Sequence, residues 1–246
     1  MRKTKIVCTI GPSCDNEETL ERMCLAGMNV ARLNFSHGTH PEQQAKMDLV
    51  KRVREKLKLP IAIMLDTKGP EYRIRTFANG SVELKAGDPF TFTTEQIVGD
   101  QHRVAVSYAG LMGDLSVGDK ILPNNGLMVF VVEELTETEA HCRVLVGGTL
   151  SNNKSMSFPN KVMSQVYLSE QDKADLLLGL ENEVDYVACS FVSRKQDILD
   201  VKDFIAQHTD RYIGLIAKIE NQAGIDNIEE ICQVCDGIMV ARGDLG

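Results

Sequence analysis

Hydrophobic and polar positions follow two rhythms along this chain. Three short apolar runs come first, IVCTIG (6–11), MNVARLNF (28–35) and IAIMLD (61–66). The two stretches between them carry apolar residues at helical spacing. The first predicts a helix from about Asn16 to Ala26, with Ser13 or Asp15 as cap and Gly27 as stop. The second opens at Pro41, a first-turn proline, and runs to about Leu57. From about Tyr72 to Asn160 no helical periodicity is found. Short alternating runs (SVELKAGD, PFTFTT, HRVAVSY, DKILPNNGLMVFVVEEL, AHCRVLVGG) predict a small all-β module, with Asn124-Asn125-Gly126 tolerating positive φ at one hairpin. The first rhythm then returns. A capped start at Ser169 begins a helix to about Glu183, DYVACSF (185–191) reads as a strand, and Ser193 caps a helix to about Gln207. Two more strands, IGLIAKIE (213–220) and GIMVARG (237–243), enclose a single helix.

Strands alternating with helices through short loops predict a parallel sheet covered by helices. The fold class expected is α/β, an incomplete (β/α)8 TIM-type barrel with an inserted small all-β barrel domain. Residues 1–71 and 161–246 form the two parts of the barrel and 72–160 the insert. Six strands leave such a barrel two short, so the chain alone is expected to be poorly active or part of a longer protein.

Sites in this architecture lie at the C-terminal ends of the strands, and every strand end from the second onward carries polar residues. Alternation sets Arg32, Asn34 and Ser36 on one face, and the third strand ends in Asp66 and Thr67, followed by Lys68 and Arg73. The fourth offers Ser190 and Arg194. The last two end in Lys218-Ile219-Glu220 and Arg242-Gly243-Asp244, so that a parallel βαβ unit lets Glu220 and Asp244 converge beside a lysine. Two carboxylates suit Mg²⁺ that also takes oxygens from an anionic substrate. The hard oxygens of Asn34, Ser36, Asp66 and Thr67, with one carboxylate among them, suit a monovalent cation. Arginines with a lysine and a bound metal suit a phosphorylated anion. Taken singly, each residue has a structural reading: a helix cap for Ser36, a surface charge for Arg194, a buried hydrogen bond for Asn34. Neither a Walker A loop nor a GxGxxG is present.

The composition, 43% hydrophobic and 25% charged over 246 residues, is that of a soluble globular chain. A net charge of −8 without a basic stripe argues against nucleic-acid binding, and no run is long enough to span a membrane. The seven cysteines sit mostly in apolar runs and no export signal is evident, which predicts reduced thiols in a cytoplasmic protein. Cys232 and Cys235 form an isolated Cys-x-x-Cys within a helical pattern, a poor zinc or redox signature.

The segments KTKIVCTIGP (3–12), GMNVARLNFSHG (27–38), LDTKGPE (65–71), DLSVGD (114–119), DYVACSF (185–191), IAKIENQAGIDNIEEI (216–231) and DGIMVARGDLG (236–246) together resemble the N-terminal half of pyruvate kinase, in order and across the whole chain. The resemblance implies a (β/α)8 A domain, a B domain inserted after the third strand, and phosphoryl transfer from phosphoenolpyruvate to ADP. It implies Glu220 and Asp244 as ligands of Mg²⁺ (or Mn²⁺), and Asn34, Ser36, Asp66 and Thr67 as the K⁺ site. Lys218 would stabilise the phosphoryl group in flight, Arg32 would bind substrate, and Gly243 would offer a backbone N–H to the substrate carboxylate together with Asp244. Asn34, His37, Arg73 and Lys154 would contact the nucleotide, and the parent enzyme would be a homotetramer. The B-domain exit departs from the family's Lys-Gly-Val-Asn-Leu-Pro-Gly, reading Lys154-Ser155-Met156-Ser157-Phe158-Pro159-Asn160. The C-terminal stretch by itself also resembles metal-dependent aldolases of the phosphoenolpyruvate/pyruvate class, and a non-catalytic fragment that binds metal and phosphoenolpyruvate is a further alternative.

Overall fold

The computed structural model describes residues 3–159, 161 and 163–241. In chain order the first part holds β1 (Val7–Thr9), α1 (Glu17–Ala26), β2 (Val30–Asn34), α2 (His40–Leu57) and β3 (Ala62–Asp66). The middle part holds β4 (Ser81–Leu84), β5 (Pro89–Thr93), β6 (Arg103–Ala105), α3 (Leu111–Asp114), β7 (Lys120–Pro123), β8 (Val129–Leu135), β9 (Glu139–Val146), β10 (Gly148–Ser151) and β11 (Met156–Ser157). The last part holds α4 (Glu170–Glu181), β12 (Tyr186–Cys189), α5 (Lys195–Ala206), β13 (Gly214–Ile219), α6 (Gln222–Asp226), α7 (Ile228–Cys232) and β14 (Gly237–Val240). These elements fall into two compact units. One is the chain up to Gly69 with Tyr167–Ile219 and Asn227–Val240, the other Pro70–Val166 with Glu220–Asp226.

The first unit is built on a six-stranded sheet in the order β1-β2-β3-β12-β13-β14, with every pairing parallel. This is the curled, helix-covered sheet of an incomplete α/β barrel, as the alternating rhythm predicts. One face of the sheet carries an apolar layer of Val30, Met64 and Ala188, against which Ala62, Tyr186, Ile216 and Met239 pack. Period two then fixes what lies one step further along each strand: Arg32 after Val30, Asp66 after Met64, Ser190 after Ala188 and Lys218 after Ile216. Those four polar residues share the face of the apolar layer, at the C-terminal strand ends.

Several local expectations are corrected. Asn16, not Ser13 or Asp15, caps α1, and its side chain accepts from the Thr19 N–H at 3.0 Å. The cap position of α5 is Arg194 rather than Ser193, because Asp197 Oδ2 accepts from the N–H groups of both, at 2.8 and 3.1 Å. The expected single helix between the last two strands is two short ones that divide at Asn227, whose side chain donates to the Ser193 carbonyl at 2.8 Å. Gly27 ends α1 in the left-handed region, at φ 114°, as its position predicts.

The second unit pairs β11-β7-β8-β9-β5-β6 in one sheet and β10-β4 in another. Its core centres on Phe90, Phe92 and Phe130, all fully buried, with ring centroids 5.1–5.7 Å apart. Asn124, Asn125 and Gly126 take positive φ at the turn between β7 and β8. The one-turn helix α3 falls where no helix is expected, since four residues are too short to show helical periodicity.

All seven cysteines are free thiols. Burial pushes the Cys142 thiol up to about 12 and the Cys189 thiol higher still, which keeps both protonated and unreactive. Iodoacetamide at neutral pH is therefore expected to alkylate exposed Cys232 and to spare Cys142 and Cys189 until denaturant is added, with peptide mass spectrometry as the readout. Early labelling of Cys189 would contradict this packing.

Candidate active site

Asp66 ends β3 and is completely buried. An isolated carboxylate there would be very costly, and the chain brings two cations to it. Arg32 Nε of β2 donates to Asp66 Oδ2, and Lys218 Nζ of β13 donates to Asp66 Oδ1 at 3.1 Å. The Arg32 side chain is 24% exposed and that of Lys218 9%, so Arg32 is the more open of the two. Arg32 also donates through Nη1 to the Thr9 hydroxyl of β1 at 2.7 Å. Both cations thus meet one buried carboxylate, at strand ends whose lower layer is apolar.

Ser190, immediately beyond β12, fills the space between these groups. Its Oγ accepts from Lys218 Nζ at 2.7 Å and lies 2.6 Å from the Thr67 carbonyl oxygen and 3.0 Å from Asp66 Oδ1. Its backbone is fixed as well. The Ser190 N–H donates to Thr67 Oγ1 at 3.1 Å, and the Tyr167 hydroxyl donates to the Ser190 carbonyl at 2.7 Å. Gly69, at φ +66°, packs so closely that a Cβ there would meet the Ser190 carbonyl at 2.6 Å. The residue after Ser190, Phe191, takes φ 56°, a sparsely populated conformation for a bulky side chain and one that functional sites tend to hold.

Of the residues expected from sequence, Arg32, Asp66, Thr67 and Lys218 therefore meet. Asn34 is the register partner of Asp66 across β2 and β3. Its Oδ1 accepts from the Ser36 N–H at 3.0 Å, turning the chain just after the strand, so the expected alternation stops short of Ser36, which is exposed. His37 is also exposed, and Gln43 Nε2 of α2 ties this turn down by donating to the carbonyls of Asn34 and His37, at 2.9 and 2.6 Å. Glu220 is buried directly after β13. Arg73 and Lys154 belong to the second unit. There Arg73 pairs with Glu71 and donates through Nη1 to the Asn153 carbonyl at 2.5 Å, while the Lys154 carbonyl accepts from the Ile74 N–H. Arg242, Gly243 and Asp244 lie outside the described residues. Thr9, Gln43 and Tyr167 go unnoticed in sequence, where a hydroxyl or amide inside an ordinary element gives no signal.

The donor chemistry fits the cations inferred from sequence. A buried glutamate, Glu220, offers the hard oxygens a divalent ion takes. Asn34, Asp66 and Thr67 bring amide, carboxylate and carbonyl oxygens to adjoining strand ends, with one formal charge among them. Among the described residues no three His, Cys, Asp or Glu side chains form a ligand cluster.

Comparison with known proteins gives the family. The family described as "Pyruvate kinase, barrel domain" matches residues 1–246, and the chain belongs to it. It is 46% identical over 247 residues to a pyruvate kinase of Clostridium perfringens, covering all of this chain and 52% of that protein. It is 44% identical over 248 residues to a pyruvate kinase of Staphylococcus haemolyticus, covering 42% of it. The crystal structure of a pyruvate kinase from Cryptosporidium parvum superposes with a TM-score of 0.90 at 36% identity, over all of this chain and 52% of that one. The chain thus spans about half the length of the curated relatives it matches.

The contact between Gly69 and Ser190 is testable. Gly69→Ala forces a left-handed conformation on an L side chain and drives its Cβ into a backbone carbonyl. It is expected to lower stability by at least about 2 kcal/mol in urea titration. A neutral substitution would show that the strand ends are not packed this tightly.

Proposed function

We propose that this chain carries the phosphoryl-transfer residues of a pyruvate kinase, which moves the phosphoryl group of phosphoenolpyruvate to ADP and yields pyruvate and ATP. The observation that carries the reading is the buried Asp66 held between Arg32 and Lys218 at the C-terminal strand ends, in a chain of this family. An anionic phosphoryl group competes with Asp66 for both cations. Arg32, the more exposed, binds it, and Lys218 offers its ammonium to the oxygens on which charge builds as the P–O bond of the enol phosphate breaks and that to ADP forms. Glu220 and Asp244 would hold a divalent ion, Mg²⁺ or Mn²⁺, which when bound would supply further neutralisation of phosphoryl charge. Asn34, Ser36, Asp66 and Thr67 are assigned to K⁺. Gly243 and Asp244 are assigned to the substrate, and Asn34, His37, Arg73 and Lys154 to the nucleotide. In this reading residues 72–160 are the domain inserted into a barrel formed by 1–71 and 161–246, and the enzyme is cytoplasmic. Among the described residues no helix is long and apolar enough to cross a membrane.

The test is pyruvate formation from phosphoenolpyruvate and ADP with Mg²⁺, with and without K⁺. Lys218→Ala is expected to lower kcat about 100- to 1,000-fold, as loss of one transition-state donor does, and the remaining turnover should still need K⁺. Full activity in Lys218→Ala would overturn the role given to the lysine. Metal and phosphoenolpyruvate binding that does not depend on Glu220 would overturn the metal site.

A further inference from the structure

Ser190 has three polar partners for its hydroxyl and one proton to give. Lys218 donates to one lone pair at 2.7 Å, so the proton goes to the Thr67 carbonyl, at 2.6 Å, or to Asp66 Oδ1, at 3.0 Å. Both acceptors are oxygens assigned above to the monovalent cation. Ser190 itself is buried, and Tyr167, Thr67 and Gly69 fix its backbone, so the hydroxyl can answer a change at those oxygens only by rotating.

We propose that Ser190 is a positioning residue that couples the monovalent-cation oxygens to Lys218. A cation shared by the neutral Thr67 carbonyl and the anionic Asp66 carboxylate would leave the carboxylate the better acceptor, and so would turn the hydroxyl proton toward Asp66 Oδ1. That rotation redirects the Ser190 lone pairs facing the ammonium and weakens the hold of Asp66 on Lys218, because Oδ1 then shares its lone pairs with a second donor. The ammonium becomes more available to an incoming phosphoryl group. This inference rests on the cation assignment under Proposed function and adds to it the path by which the cation acts.

The experiment uses protein carrying ¹⁵Nζ-labelled lysine, with the Lys218 signal identified by its loss in Lys218→Met. Tl⁺ stands in for K⁺, and its binding is read separately by ²⁰⁵Tl NMR. The Lys218 signal is expected to shift on Tl⁺ binding. Ser190→Ala should still bind Tl⁺ yet lose the Lys218 response, and Ser190→Thr, which keeps the hydroxyl, should recover it. In the kinase assay Ser190→Ala should lower kcat about 10- to 100-fold, the worth of one hydrogen bond to a charged group, with KM for phosphoenolpyruvate within about threefold of wild type. Amide spectra report whether each variant is folded. Tl⁺ binding without a Lys218 response in wild type, or a response that persists in folded Ser190→Ala, overturns the coupling alone. Absence of Tl⁺ binding in wild type overturns the cation assignment and the coupling with it.

Discussion

A carboxylate with no access to water has to be neutralised where it stands, and Asp66 is in that position at the end of β3. Its neutralisation recruits Arg32 from β2 and Lys218 from β13, strands on either side that are well separated in sequence. The parallel register makes this possible. Asp66 lies level with Asn34 on one side and with Ala188 on the other, and Ala188 lies level with Ile216, two residues before Lys218. A one-residue slip in any of these pairings would turn a charged side chain to the helix-covered face. The apolar layer of Val30, Met64 and Ala188 beneath the charges holds that register, and it also keeps the local dielectric low, so the charges interact strongly.

The arrangement gives the same residues a structural and a chemical task. Asp66 holds two cations at the strand ends, where barrels of this kind place their chemistry. Tyr167, Gly69 and the left-handed Phe191 hold the strand end that bears Ser190. Rigid support of this sort allows an ammonium to be aimed at developing charge without reorganisation during reaction.

Much of this can be read in the sequence because it is periodic. The parallel strands, the interruption by an all-β module and the polar strand ends all follow from alternation and helical spacing, and Arg32, Asp66, Thr67 and Lys218 stand out as polar residues closing apolar runs. What escapes notice depends on contacts between distant residues. Thr9 is recognisable as a partner only once β1 lies beside β2, and Tyr167 only once it reaches the Ser190 carbonyl. Ser190 shows in sequence as a polar strand end, but nothing there reveals that it touches Lys218, Asp66 and Thr67 together. The helix caps differ for a local reason: at α1 and α5 several side chains compete to cap, and Asn16 and Asp197 win by reaching the free N–H groups. The break at Asn227 is set by its bond to Ser193, 34 residues away in sequence.

Asp66 and Lys218 stabilise each other as a buried charge pair, and a double-mutant cycle in urea measures this most directly. Asp66→Asn takes the carboxylate from Lys218 and Lys218→Met takes one of two cations from Asp66, whereas the double variant removes both charges. The single losses are expected to sum to more than the loss in the double variant, by about 2–3 kcal/mol. Strictly additive losses would mean that the two charges do not stabilise each other.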